Sequence, residues 1–313
     1  MRRQSSGPAA GLDPIAVPGE QASKAHQRGI AGRRRDAVPT PPVRSDPYEV
    51  FSRVYDQDVH LEIPRAFHRT LRPLVRDARK GPPVLDLGCG SGLVTARIAA
   101  DGARVIGVDG SKPMLALARR RCARWGDRVR LLHRRLDAMR LAPEAHLALA
   151  CGDVINHMPR LSVVKRVLGS VHRALAPGGV LVFDALTKFC FETYWPDNTH
   201  LLEGPHGDLL MDCDWDPARR RGTARMIAYA RDGRGRFRRT ETTLHEYLWL
   251  DRELLEAFAV AGFAEVWRLP WSAWPDQSEE PAMDRTLWCG RKGGGDASVR
   301  PTRLRALGFR RVG

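Results

Sequence analysis

Between Pro82 and Ser111 the chain reads PPVLDLGCGSGLVTARIAADGARVIGVDGS. A short apolar strand, Val84–Leu87, runs into a turn with glycine at 88, 90 and 92. The helical pattern Leu93–Ala100 follows, and a second apolar strand over 104–108 ends on Asp109. Such a unit demands a parallel sheet, because the helix must carry the chain back before the next strand can start. The turn also narrows the ligand. A dinucleotide fingerprint needs its third glycine at 93, where Leu93 stands. A phosphate-binding P-loop needs a lysine after the turn, and none follows. Gly88 and Gly90 let main chain approach a ligand closely. Asp86 would repel phosphate but suits an ammonium group, and Asp109 suits a ribose diol. A nucleoside bearing a zwitterionic amino-acid tail satisfies all three. A helix-capping role is the rival reading for Asp109, although Ser111 is better placed as that cap.

The same rhythm continues. Strands are expected at 104–108, 129–133, 147–151 and 180–184, with helices at 113–125 and 161–174 and an earlier helix over 61–79. Ile63, Phe67, Leu71, Leu74 and Val75 mark the buried side of that first helix, with Pro64 in its first turn and Pro73 a possible kink point. After Asp184 the period changes to the alternation of antiparallel strands, as in DLLMDCDWD, GTARMIAYARDG and TETTLHEYLWL, with turns at DPARRRG and DGRG. A helix at 251–261 and strands AEVWRL and TLWCGRK then complete the core sheet.

Composition restricts the function classes. With 313 residues, 43% of them hydrophobic, the chain can build a substantial core. No run of about 18 apolar residues predicts a membrane span. The six cysteines (Cys89, Cys122, Cys151, Cys190, Cys213, Cys289) form no C-x-x-C pair, so neither a zinc site nor a disulfide framework is expected, and the reading is a cytoplasmic protein with no metal. The net charge of +15 suggests nucleic acid until it is located. Residues 1–45 hold eight Lys/Arg against three Asp/Glu and residues 291–313 hold seven against one, which leaves 46–290 at +4. Both ends are therefore read as disordered basic tails. The first also leaves a transit peptide open.

From Asp46 to Lys292 the chain resembles the class I S-adenosylmethionine-dependent methyltransferases. LDLGCGSG is similar to that family's first motif, and VIGVDGSKPMLALA resembles its second, with Asp109 and Gly110 at the ribose and Met114 near the adenine. HRRLDAM resembles the third, with Asp137 and the backbone of Ala138 at the adenine edge, although Leu136 stands where the family often has glycine. LALACGDVINHM resembles the fourth, with Cys151 and Asp153 at the methionine end. FSRVYD resembles the amino-terminal segment of a small-molecule subgroup, whose tyrosine, here Tyr55, reaches the cofactor carboxylate. That subgroup inserts β strands after the fifth strand and resumes with a pattern like HEYLWLDRELLEAFAVAGF.

The resemblance implies an α/β fold: a Rossmann-like, doubly wound, mostly parallel seven-stranded sheet with an antiparallel β insertion forming a lid. It divides the chain into a leader (1–45), a cofactor-binding core (46–184), an acceptor lid (185–250), completion of the core sheet (251–292) and a tail (293–313). S-adenosyl-L-methionine is the implied cofactor and S-adenosyl-L-homocysteine its product. A small molecule methylated on N or O is the implied acceptor. An RNA methyltransferase using the basic tails and a catalytically silent cofactor-binding protein are the alternatives.

Asp153, Asn156 and His157 follow the fourth strand, at the sheet edge where ligands bind in open α/β folds. His157 is the candidate general base, since an imidazole titrates near neutrality. His245 is a second candidate. Its neighbour Glu246 points to the opposite face of an alternating strand, so the two cannot serve one site. Tyr194, Trp195 and Trp215 at the insertion's entry, with Trp271 and Trp274 near the last strands, are candidate walls for a flat or cationic acceptor. Trp249, Trp267 and Trp288 read as core.

Overall fold

The computed structural model describes residues 48–49, 52, 55, 58–142, 144–204, 207–231, 234–272, 284–295 and 299–312. Trp274, one of the candidate acceptor aromatics, lies outside them.

Helix α1 (Asp58–Ala78) opens the described core and continues through both Pro64 and Pro73. It starts earlier than the pattern suggested, so Pro64 lies beyond the first turn. Phe67, Leu71, Leu74 and Val75 are fully buried along one side, as their spacing requires. Then come β1 (Val84–Leu87), α2 (Leu93–Ala100), β2 (Val105–Asp109), α3 (Lys112–Cys122), β3 (Val129–His133), β4 (Ala145–Ala150), α4 (Leu161–Ala174) and β5 (Leu175–Leu186). Ser111 caps α3, its side chain accepting from the Met114 amide.

After α5 (Lys188–Tyr194), strands β6 (Asn198–Leu202), β7 (Gly207–Asp216), β8 (Arg221–Arg231) and β9 (Phe237–Tyr247) form an antiparallel meander in the order β6-β7-β8-β9. Helix α6 (Asp251–Ala261) and strands β10 (Phe263–Trp271) and β11 (Arg285–Lys292) return the chain to the main sheet. Neither α5 nor β6 was anticipated.

With β12 (Arg310–Val312), the main sheet has eight strands in the order β12-β10-β11-β5-β4-β1-β2-β3. Strands β3, β2, β1, β4 and β5 are parallel, and β11 is antiparallel to β5. The eighth strand is the departure from expectation. The tail assigned to disorder contains α7 (Pro301–Ala306) and β12 (Arg310–Val312), which pairs with β10. Its apolar residues explain this: Val299, Leu304 and Phe309 are buried with Trp267, Trp271 and Phe67 in one core layer.

Strand alternation sends side chains to two layers. Val180 and Val182 of β5 meet α1 and α2, while Leu181 and Phe183 meet α4 and α6. The sheet is thus covered on both faces, and its strand ends remain for ligand binding.

Candidate functional site

The chain leaves β1 through Gly88 (φ 65°), Gly90 (φ 52°) and Gly92 (φ 80°), in the left-handed region that side chains disfavour. A Cβ built on Gly88 would stand 2.7 Å from Val154 Cγ2, so the turn packs directly on the loop after β4. Beside it, at the carboxyl ends of β1, β2 and β4, lies a cleft of about 630 Å³. That volume is within the range of small-molecule sites, roughly 300–1,000 Å³. Tyr55, Gly88, Gly90, Asp109, Gly110, Met114, Asp137, Cys151, His157 and His245, all expected from the sequence, line it.

Asp109 ties the two sides of this cleft together. One carboxylate oxygen accepts from the Gly90 amide (2.8 Å) and the other from the Ser111 amide (2.7 Å). An ionised carboxylate offers about four acceptor positions, so bridging two amides is compatible with taking ribose hydroxyls as well. Asp86 is buried beneath the turn and accepts from Thr95 Oγ1 at 2.5 Å. Burial raises its pKa to about 7, with the Thr95 bond opposing and Asp109 adding to the rise. It faces a small pocket shared with Tyr55, Gly88 and Cys151.

Asp137 reaches the cleft, but Arg135 grips both its oxygens (3.1 and 3.0 Å) and Arg166 lies 3.5 Å away. The Arg135 hydrogen bond holds its carboxyl below the usual range. Ala138 is not among the lining residues, and its amide donates to the Arg135 carbonyl at 3.2 Å. The structure therefore does not aim that amide into the cleft, because the tight turn over Leu136–Ala138 uses it internally.

The loop after β4 differs more from expectation. Asp153, in a left-handed conformation (φ 50°), turns away from the lining and binds Arg285 Nη1 at 2.6 Å. Arg285 also pairs with Asp184, whose two oxygens accept from the amides of Gly152 and Asp153 (2.8 and 3.1 Å). Arg285, Asp153 and Asp184 thus form a buried ion network that fixes this loop to β5 and β11. Burial would raise the Asp153 pKa, but Arg285 and His157 outweigh it and hold it well below the carboxylate range.

Asn156 is fully buried and does not contact the cleft. Its Nδ2 donates to the Tyr247 carbonyl (2.9 Å), its Oδ1 accepts from the Leu186 amide (3.0 Å), and its carbonyl accepts from the Tyr247 amide (2.7 Å). It clips the end of β9 to the end of β5, which is a structural role in place of the acceptor-binding one expected.

His157 does border the cleft. Its Nε2 is 3.4 Å from Asp153 Oδ2 and 3.1 Å from the Tyr48 hydroxyl. Burial opposes its charge, but Asp153, Glu246 and the His245 carbonyl raise its pKa to about 9. The imidazole therefore carries a proton at neutral pH. His245 contributes to the cleft wall from the other face of β9, with Nδ1 on the Thr223 hydroxyl (3.2 Å) and its pKa lowered by burial and Arg221. Glu246, the neighbour set aside on alternation, is the residue that joins Asp153 and His157. Tyr48, Glu246, Arg285 and Asp184 were all missed as site residues. Only the strand alternation around Glu246 offered a signal for any of them.

Of the aromatic candidates, Trp195, Trp215 and Trp271 pack against other side chains of the protein. Phe191 stacks on Trp215 at 4.7 Å between ring centroids and lies 5.4 Å from Trp195. Tyr194 is exposed against Phe189. None of the three lines the cleft. Trp271 is buried, donates to Thr70 Oγ1 (3.1 Å) and meets Phe67 edge-on, so it fastens β10 to α1 and does not wall an acceptor. Trp249, Trp267 and Trp288 are core, as read.

Residues 84–179 match the family model of a methyltransferase domain. The matched stretch is less than a third of the chain. It contains the glycine turn, Asp109, Asp137 and the loop after β4, and excludes the second sheet. Among curated proteins, the ubiquinone biosynthesis O-methyltransferase of Pseudomonas syringae pv. tomato is 33% identical over 111 residues, covering 34% of this chain and 46% of that protein. The chain spans 46% to 60% of the length of the first curated relatives it matches. An S-adenosylmethionine-dependent methyltransferase from Clostridium acetobutylicum superposes with a TM-score of 0.64 at 17% identity, over 80% of this chain and 100% of that one. The sugar N-methyltransferase KedS8 from Streptoalloteichus gives 0.60 at 19% identity, over 85% and 100%. At these identities the two structures share the methyltransferase domain's fold, including a mostly parallel sheet with an added antiparallel one.

Proposed function

We propose that the protein is an S-adenosylmethionine-dependent methyltransferase acting on a nitrogen or oxygen of a small molecule. The observation that carries this reading is the glycine bend with Asp109 bridging the Gly90 and Ser111 amides at the edge of the cleft. The chemistry of the residues present fits the cofactor. Main chain at Gly88 and Gly90 borders the cleft, Asp109 suits the ribose diol, Met114 and Leu136 offer apolar surface to an adenine, and Asp86 beside Tyr55 suits the amino-acid end.

When bound, that cofactor supplies a methyl group on a cationic sulfur, activated for displacement by a nucleophile. The protein's contribution is then alignment, which can be worth about 7–11 kcal/mol. His157, with its pKa raised to about 9, orients and polarises more readily than it removes a proton. An amine acceptor needs no base before attack. That chemistry agrees with the sugar N-methyltransferase named among the structural neighbours, whereas the curated O-methyltransferase relative keeps oxygen acceptors in the test.

The test is calorimetry with S-adenosyl-L-homocysteine, followed by a screen of amines and phenols for methyl transfer. Asp109→Ala is expected to abolish measurable binding, and near-native affinity would overturn the ribose assignment. Binding without transfer to any acceptor would favour a silent cofactor-binding protein.

A further inference from the structure

The carboxylates around Arg285 outnumber their cations. Asp153, Asp184 and Asp284 all lie within 4.0 Å of this one guanidinium, and Glu246 stands beside Asp153 and His157. Asp184 is fully buried, Glu246 is 7% exposed, and the Asp153 and Asp284 side chains are 15% exposed. A buried carboxylate without a partner is costly, and the usual remedies are a proton, a hydrogen-bond partner or a bound cation.

A second observation identifies where a cation would go. Glu246 Oε2 is buried and has no hydrogen-bond partner, although Asp153 and Asp184 each have at least one. One donor atom from each of Asp153, His157 and Glu246 lies within 4.8 Å of the other two. Two carboxylates and an imidazole, which releases its proton when it binds, are a donor set for a divalent first-row ion, softer than an all-oxygen calcium site and harder than a thiolate zinc site.

The supporting shell is already in place. Arg285 holds Asp153 Oδ1 at 2.6 Å and leaves Oδ2 on the His157 side, 3.4 Å from Nε2. Asp184 fixes the backbone on either side of the Gly152–Asp153 peptide through two amide hydrogen bonds. Metal-binding carboxylates are commonly oriented by such outer contacts. We infer that Asp153, His157 and Glu246 form a divalent-cation site at the edge of the cleft, with Arg285 and Asp184 as its outer support.

This site shares His157 with the methyl-transfer reading, but its test needs no turnover. The full chain, stripped with a chelator, is titrated with Mn²⁺ and followed by calorimetry and by the paramagnetic resonance of the free ion. The expected result is one Mn²⁺ per chain, selective broadening of the His157 imidazole resonances, and at least a tenfold weaker affinity in both Glu246→Gln and His157→Asn. Near-ultraviolet circular dichroism of each variant checks that packing is intact. The wild-type broadening experiment stands if either variant fails to fold. Absence of saturable binding, or binding that leaves the His157 resonances sharp, overturns the site. So does binding undiminished in folded Glu246→Gln. Calorimetry with S-adenosyl-L-homocysteine on Glu246→Gln is expected to match wild type. Loss of Mn²⁺ with homocysteine-nucleoside binding retained therefore concerns the cation site alone.

Discussion

Asp86 couples the turn to pH. Its pKa is about 7 in the folded protein, raised by burial from the ordinary 3.8. The folded state therefore binds the proton more tightly than the unfolded chain. Its contribution to stability is full below about pH 4 and is lost as pH rises towards 7, by up to about 1.4 kcal/mol per pH unit. Urea unfolding of the ligand-free protein at pH 5, 6 and 7 is expected to show this slope in the difference between wild type and Asp86→Asn, which cannot ionise. A difference independent of pH would refute the shift. For Trp271→Phe, loss of the bond to Thr70 is expected to cost about 1 kcal/mol of stability with acceptor KM unchanged. A raised KM would return this residue to the acceptor site. At this scale the sequence was legible where one residue type has one plausible use. Glycines at 88 and 90 with an acid at 109 pointed to the edge where the cleft lies. The ion network was not readable, because Asp153, Asp184 and Arg285 meet only through the antiparallel register of β5 and β11. The tryptophans misled because a large ring suits a core and a binding wall equally, and burial is not visible in composition.

Among the elements, the parallel strands and their helices followed directly from continuous apolar runs and helical spacing, and β1, α2, β3, α4 and α6 fall where the pattern put them. Strand β6 escaped because NTHLL shows no clear alternation and is largely exposed at the edge of its sheet. The join between the two sheets is made by Asn156, whose side chain alone bonds Leu186 and Tyr247. In Asn156→Ala both backbone groups lose their partners in a buried setting, at about 1–3 kcal/mol each. Denaturant unfolding is expected to show a loss of about 2–5 kcal/mol, and a loss below about 1 kcal/mol would mean that water or a shifted strand replaces the clip.

For the molecule as a whole, the charge count was right in sum and misleading in placement. Arginine density suggested disorder at the carboxyl end, yet Arg303 pairs with Asp77 (2.8 Å) and Arg305 lies over the Trp267 ring. These contacts are with the chain itself, which weakens the case for an RNA-binding tail. Deleting 299–313 removes Val299, Leu304 and Phe309 from the core. At about 1.5 kcal/mol or more for each buried side chain, the expected loss is about 4 kcal/mol or more, read as a lower denaturant midpoint. An unchanged midpoint would restore the dispensable tail. Among the described residues no helix is long and apolar enough to cross a membrane.

The hydrogen-bonded Asn156 also sets a mechanical condition. Because it bonds the end of β9 and lies three residues from Asp153, the second sheet and the loop after β4 are fastened to each other. A displacement of β9 that keeps these bonds therefore carries the loop after β4 along with it.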